Sequence, residues 1–268
     1  MSARVVAVVC LGLAARVASA EPRYDRHHVP LNLVDRELLL PAGALAVDST
    51  GTLGLGPLGE PATLAPDVVY ALGGRLNLAL THDRGLCLAG CAPDGVYDDA
   101  GLAASLRVLA RAVELVVSGE LHLESIARGT LDLRVGVVAR WRAGRVAVVV
   151  APRVSIGVTD RTVDLGPIGD AVLNEDMLVI PLEARVAVAA RVALRLELGL
   201  AETPLLDLAD RWGVSFGAGA LVGVSHAVDL GARVLLPRLI DQHLDGATLA
   251  PAFDLEQRAL ELQVTARF

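Results

Sequence analysis

Ser118 and His122, with Glu114 and Glu120 on the same alternating row, form one of two places where residue type suggests nucleophilic chemistry. A serine activated by a histidine needs the two within hydrogen-bond reach. Residues four apart on a strand are separated by roughly 13 Å, so this pair does not meet directly. The second place is Ser225 beside His226, with Asp229 three residues on. It falls at an expected short turn between strands. No G-x-S-x-G, H-E-x-x-H or phosphate-loop pattern accompanies either group. The stretch GTLGLG at 51–56 lies between two expected strands with no helix after it, and reads as turn glycines. Solvated or interior histidines are therefore the preferred reading. No catalytic residue, metal site or cofactor is assigned.

The charged residues carry a stronger pattern. Arg75, Arg107, Arg134, Arg140, Arg153, Arg185, Arg195 and Arg233 fall on polar rows of predicted strands, as do Glu114, Glu120, Asp132, Glu183, Glu197, Asp229 and Glu261. Such rows are expected to line an enclosed, water-facing interior. One reading is a ladder of Arg–carboxylate pairs that braces that interior, because a lone buried charge costs several kcal/mol. The other is a narrow channel in which an excess of Arg favours anions. Residue type alone leaves both open.

The elements that must position these rows are strands. Residues 260–268 read LELQVTARF: Leu260, Leu262, Val264, Ala266 and Phe268 share one face, and Glu261, Gln263, Thr265 and Arg267 the other. A period of two belongs to a strand, and one apolar face opposite one polar face suits a closed barrel with lipid outside and water inside. The same alternation sets Leu131, Leu133, Val135, Val137 and Trp141 against Asp132, Arg134, Arg140 and Arg142. About twelve strands are predicted, at 37–48, 62–71, 74–82, 99–110, 113–123, 130–142, 145–157, 177–189, 191–200, 212–223, 226–236 and 256–268. Short and long links alternate between them, as in barrels with tight turns at one rim and larger loops at the other. The predicted fold class is all-β: a single antiparallel up-and-down transmembrane β-barrel.

The amino terminus reads as an export signal. Arg4 precedes the apolar run Val5–Leu13, and Ala18-Ser19-Ala20 offers a cleavage site. The expected organisation is a signal peptide at 1–20, a periplasmic lead at 21–36 and a barrel over 37–268. Removing 1–20 takes Arg4 and Arg16 and leaves 22 basic against 31 acidic residues, a formal charge of −9. That argues against a nucleic-acid partner. An exported chain meets an oxidising compartment, so Cys87 and Cys91, a C-x₃-C pair, are expected to form a small disulfide. The long loops are expected to be acidic at Asp94, Asp98, Asp99, Asp160, Asp164, Asp170, Glu175, Asp176, Asp207, Asp210, Asp241 and Asp245. No calcium-loop spacing is present, so these read as solvated loop charge.

The leader, LLLPAGALAV at 38–47, PDVVYALGGRLNLALTH at 66–82 and the terminal Phe268 together carry a resemblance. The chain resembles Gram-negative outer-membrane β-barrel, porin-like proteins, and is most similar among them to uncharacterised barrels of high-GC proteobacteria such as myxobacteria. The resemblance implies an integral protein of the bacterial outer membrane with both termini periplasmic. It implies contact with the lipid bilayer and lipopolysaccharide, and insertion by the barrel assembly machinery, with Phe268 as the assembly signal. Tyr70, Trp141, Trp212 and Phe216 are its candidate interfacial aromatics. The expected function is a narrow channel for small polar solutes, anions among them, rather than an enzyme. A lipid-modifying enzyme and a non-conducting structural or surface-interaction barrel are the alternatives.

Overall fold

In the computed structural model the described residues are 25, 29–56, 61–90, 96–159, 162–164, 170–172, 174–205, 212–242, 252–253 and 257–268. They form β1 (Leu45–Gly54), β2 (Ala62–Gly73), β3 (Leu76–Thr81), β4 (Leu86–Ala89), β5 (Ala100–Ala110), β6 (Val113–Ser125), β7 (Thr130–Ala143), β8 (Val146–Val150), β9 (Arg153–Gly157), β10 (Thr162–Asp164), β11 (Asp170–Val172), β12 (Met177–Ala189), β13 (Val192–Pro204), β14 (Gly213–Gly223), β15 (Val228–Asp241), β16 (Ala252–Phe253) and β17 (Ala259–Arg267). Twelve antiparallel staves close into a barrel, with β8 and β9 sharing one stave between β7 and β12. The seam is β17 against β1, which then pairs with β2. Closure removes the sheet edges that hydrocarbon could not satisfy. The small β4, β10, β11 and β16 belong to the longer connections.

Burial follows the alternation of the sequence, turned inside out. Along β7, Asp132, Arg134 and Arg140 are buried while Leu133, Val135, Val137 and Trp141 are exposed. Leu102, Leu121, Leu196 and Leu262 are each at least half exposed. The buried apolar residues of the strands are mostly small: Ala46, Ala65, Ala71, Ala147, Ala187, Ala193, Ala201 and Ala259. A soluble barrel would put its Leu and Val inside. Here they form an outer belt, as expected where the outer solvent is hydrocarbon. Tyr70 and Trp141 are exposed near the short-turn end, and Trp212 and Phe216 lie toward the other end.

Turns at 74–75, 111–112, 144–145, 190–191 and 224–227 gather at one end; the four-residue link 126–129 and the strand ends that bound the longer connections are at the other. Pro152 lacks the N–H that would carry the ladder through, so the stave predicted at 145–157 divides into β8 and β9. The break stays bonded, with the amide of Val137 donating to the carbonyl of Pro152 at 3.0 Å and that of Ala151 to Pro181 at 3.0 Å.

The first predicted strand needs correction. β1 begins at Leu45 rather than at 37, and runs on to Gly54. Residues 29–44 form no strand and lie in the short-turn mouth of the barrel, with Val29, Leu33, Val34 and Leu39 buried. The expected lead at 21–36 therefore has its second part, from Val29, packed against the inner wall. Residues 1–24, which hold the predicted leader, are outside the described residues.

Candidate functional site

The inward row of β14 explains how one bank of charges is held. Gly213, Ser215, Gly217, Gly219 and Leu221 alternate on that row. Gly219 pairs with Arg195 of β13 on one side and Arg233 of β15 on the other. With no side chain between them, Arg233 crosses β14 and joins Glu197 of β13 through Nη1, while its Nε joins Glu261 of β17. A Cβ on Gly219 would collide with the carbonyl oxygen of Ala232 and with Arg233 itself. The chain of pairs continues through Arg195, whose Nε is 2.6 Å from Glu183, and ends on Arg185, whose Nε also joins Glu183. Gln263 extends it the other way by donating to Asp48 at 3.0 Å. Three arginines and three glutamates thus alternate along one side of the interior. The delocalised fork of Arg suits such bridging better than a point-charge ammonium.

Glu114 anchors the opposite side near the short turns. It receives Arg140 at 2.8 Å and Arg107 at 3.2 Å, and accepts the backbone amide of Leu38 at 3.1 Å. Arg107 also reaches Glu37 at 2.8 Å.

A third cluster lies toward the long loops. Asp99, buried, caps the loop that follows β3 by accepting the amides of Asp83, Arg84 and Gly85 at 2.7, 2.9 and 3.0 Å. His122 is fully buried; its Nδ1 is 2.8 Å from Glu120, and its Nε2 faces Asp83 and Asp99. Thr81 donates to Glu120 at 2.7 Å, and Arg134 to Asp83 at 2.6 Å. Gly101 makes this convergence possible, since a Cβ there would strike Glu120, Thr81 and His122. Burial pushes the Asp83 carboxyl up, but the hydrogen bond and charge of Arg134 outweigh it and hold the group below the ordinary carboxylate range. Next to it, His82 pairs edge-on with Tyr97, and burial lowers the imidazole below its usual value despite the pull of Asp99.

The other predicted positions are placed as follows. Asp132 is buried opposite His122, and Arg153 faces Gly136 on the neighbouring stave. Arg75 departs from expectation: it is exposed on the turn between β2 and β3, because the polar row of β3 begins only at Asn77. Phe268 closes the seam, its amide donating to Leu45 at 2.8 Å and its carbonyl accepting from Leu45 at 3.2 Å. Cys87 is on β4 opposite Thr63, whereas Cys91 and hence the expected Cys87–Cys91 bond lie outside the described residues.

The histidine of each nucleophile candidate is held by other partners. Ser118 is set between Ser105 and Gly136, while the His122 ring is engaged by carboxylates. The Ser225 hydroxyl accepts the amides of Ala227 and Val228, and His226 Nδ1 is 2.7 Å from the carbonyl of Val29. Asp229 holds Arg267 at 2.7 Å and also pairs with Arg36. Among the described residues no group of three His, Cys, Asp or Glu side chains is arranged to hold a metal.

Sequence reasoning missed the inward role of residues 29–44, the Asp83–Asp99–His122 cluster and the glycine row of β14. The last had a visible trace, glycines spaced by two or four through GVSFGAGALVG.

No protein-family model and no curated protein matches the chain. The fold is shared with solved outer-membrane barrels. The NanC porin superposes with a TM-score of 0.56 at 8% identity, over 82% of this chain and 98% of that one. The KdgM porin in complex with disordered oligogalacturonate gives 0.54 at 8% identity, over 83% and 99%. An outer-membrane channel from Pseudomonas putida F1 gives 0.53 at 14% identity, over 86% and 97%. This chain is thus built on the porin-like outer-membrane barrel fold. The myxobacterial likeness finds no support in these comparisons.

Proposed function

We propose that this chain is an integral outer-membrane channel for small polar solutes. One observation carries the reading: the closed stave ring wears its Leu and Val outside and its Arg, Asp and Glu inside. That distribution is stable with hydrocarbon around the belt and water along the axis. Similarity in fold to porins supports it, and the alternation of tight turns with longer connections supports an orientation with both termini in the periplasm. Lipopolysaccharide at the outer belt and the assembly machinery at Phe268 are the partners this reading brings.

Pairing argues for weak selectivity. Arg185, Arg195 and Arg233 are matched by Glu183, Glu197 and Glu261, so that bank has no net charge. The preference for anions expected from an excess of Arg is correspondingly small. Planar-bilayer recording tests the proposal: discrete current steps with a reversal potential near zero in a salt gradient are the expected result. Silence, both from the native chain and from a chain whose amino-terminal segment has been loosened, overturns it.

The non-conducting barrel is the second reading. Residues 29–44 seated in the mouth favour it.

A further inference from the structure

We infer that residues 29–44 are a built-in stopper for the short-turn mouth, docked in a seat that the barrel wall is shaped to receive. This rests on the channel reading and specifies how such a channel would be closed.

Two apolar knobs fix the segment. Val34, with no exposed surface, clusters with Ala147 and Ala187, and Leu33 clusters with Ala193 and Leu221. Three of the four wall residues that meet the knobs are alanines, whose small side chains leave the room that two larger residues occupy; the fourth is Leu221. The same logic holds at Gly223, where a Cβ would press on the carbonyl of Leu31.

Polar contacts surround those knobs. Arg36 is buried against Asp229 of β15, and its Nε donates to the carbonyl of Pro30 at 2.8 Å, folding the segment on itself. On the far side the Leu38 amide donates to Glu114 of β6. Asp35 meets Arg142 of β7 at 3.2 Å. Gly43 and Ala44 exchange backbone bonds with Ala71 of β2 at 2.9 Å. The contacts therefore come from β2, β6, β7, β8, β12, β13, β14 and β15, which surround the mouth. A segment lining one wall would touch two or three adjacent staves. This one crosses the opening.

The anchors have unequal strength. Arg36–Asp229 is shielded from solvent, whereas the Asp35 and Arg142 side chains are each 43% exposed; pairs open to water contribute little. A cavity of about 570 Å³ remains beside the segment, bounded by Leu33, Arg36 and Leu38 on one side and by Asp48, Arg185 and Gln263 on the other. The segment is continuous with β1, so release needs no separate subunit, only loss of the Arg36 and Leu38 anchors and withdrawal of Leu33 and Val34.

The test reads seating and current separately in the full-length chain. Val34→Cys is introduced and its reaction with a membrane-impermeant maleimide is followed at that peptide by mass spectrometry, with and without Arg36→Glu. The substitution in Arg36→Glu sets a carboxylate against Asp229 and leaves every wall residue intact. Gly223→Val loosens the seat from the wall side and serves as the second variant. Slow labelling in the native background, accelerated about tenfold or more by either variant, together with larger or more frequent current steps, is the expected result. Labelling of Val34→Cys in the native background as fast as in urea overturns the seat. Accelerated labelling with unchanged current overturns the closing role and leaves the channel reading standing. Accelerated labelling with silent bilayers throughout overturns the channel reading, and the stopper falls with it.

Discussion

At the scale of single residues, the interior is governed by what glycine leaves out and arginine fills in. Gly219 lets Arg233 cross β14. Gly219→Ala is expected to destabilise the folded barrel by ~1–3 kcal/mol, the usual cost of forcing a methyl into an occupied space. Gly119→Ala is the control, because its Cβ would meet nothing within 4 Å. Urea midpoints of the two variants in lipid vesicles check the difference, and equal midpoints refute it. Arg233→Met has a different cause and a larger cost, ~3–5 kcal/mol, since it leaves Glu197 and Glu261 without their shared cation. Arg233→Lys should recover only part of it, because one ammonium cannot reproduce the fork's simultaneous Nε and Nη1 contacts. At the loop end the sign of a pH effect follows from His82. Its folded-state value lies below the ordinary 6.5, so the folded chain holds fewer protons there than the unfolded chain. The contribution of the neutral ring is present above pH ~6.5 and lost as pH falls below it. Asp67, which accepts the His82 amide, also titrates against this loop, so the contribution is read as a difference: protease cleavage in the connection after β3 should rise more steeply on mild acidification in the native chain than in His82→Gln.

At the scale of elements, the strands were legible because one face of each is uniformly apolar and a period of two leaves no other repeat to compete. The break between β8 and β9 was also written locally, in Pro152. The start of β1 was not. Residues 38–47 hold apolar residues dense enough to resemble a strand, but the strand is defined by its pairing with β2 and β17, more than 200 residues away for the second partner. The same limit explains the site. The charged rows could be read from alternation, and Arg75 alone stepped out of register onto a turn. Which Arg meets which Glu depends on register across three staves, and the seat of residues 29–44 depends on Ala and Gly positions scattered over the whole chain. The seam makes a prediction at this scale. Deleting Phe268 removes both backbone bonds to Leu45, at about 1 kcal/mol each. The urea midpoint should fall by an amount equivalent to ~2 kcal/mol, and an unchanged midpoint would mean that the seam is held elsewhere.

At the scale of the whole molecule, the question is which solvent touches the belt. Leu196 lies midway along β13, facing out at 51% exposure, and Val222 faces out beside the short turns at 39%. In water, replacing either by arginine would be close to neutral, because exposed substitutions far from special features change stability by about ±0.5 kcal/mol. In a bilayer the two positions separate by depth. Arginine at the midplane costs ~2–4 kcal/mol and near an interface ~0–1 kcal/mol. Leu196→Arg should therefore destabilise the vesicle-embedded barrel strongly and Val222→Arg barely. Neither effect depends on the polar interior, since both side chains point away from it. The contrast is independent of conductance and of the stopper: a barrel that is plugged, silent or open must still show it if hydrocarbon surrounds Leu196. Equal, small effects at both positions would mean that the belt faces water, and the membrane reading would fail whatever the current records show.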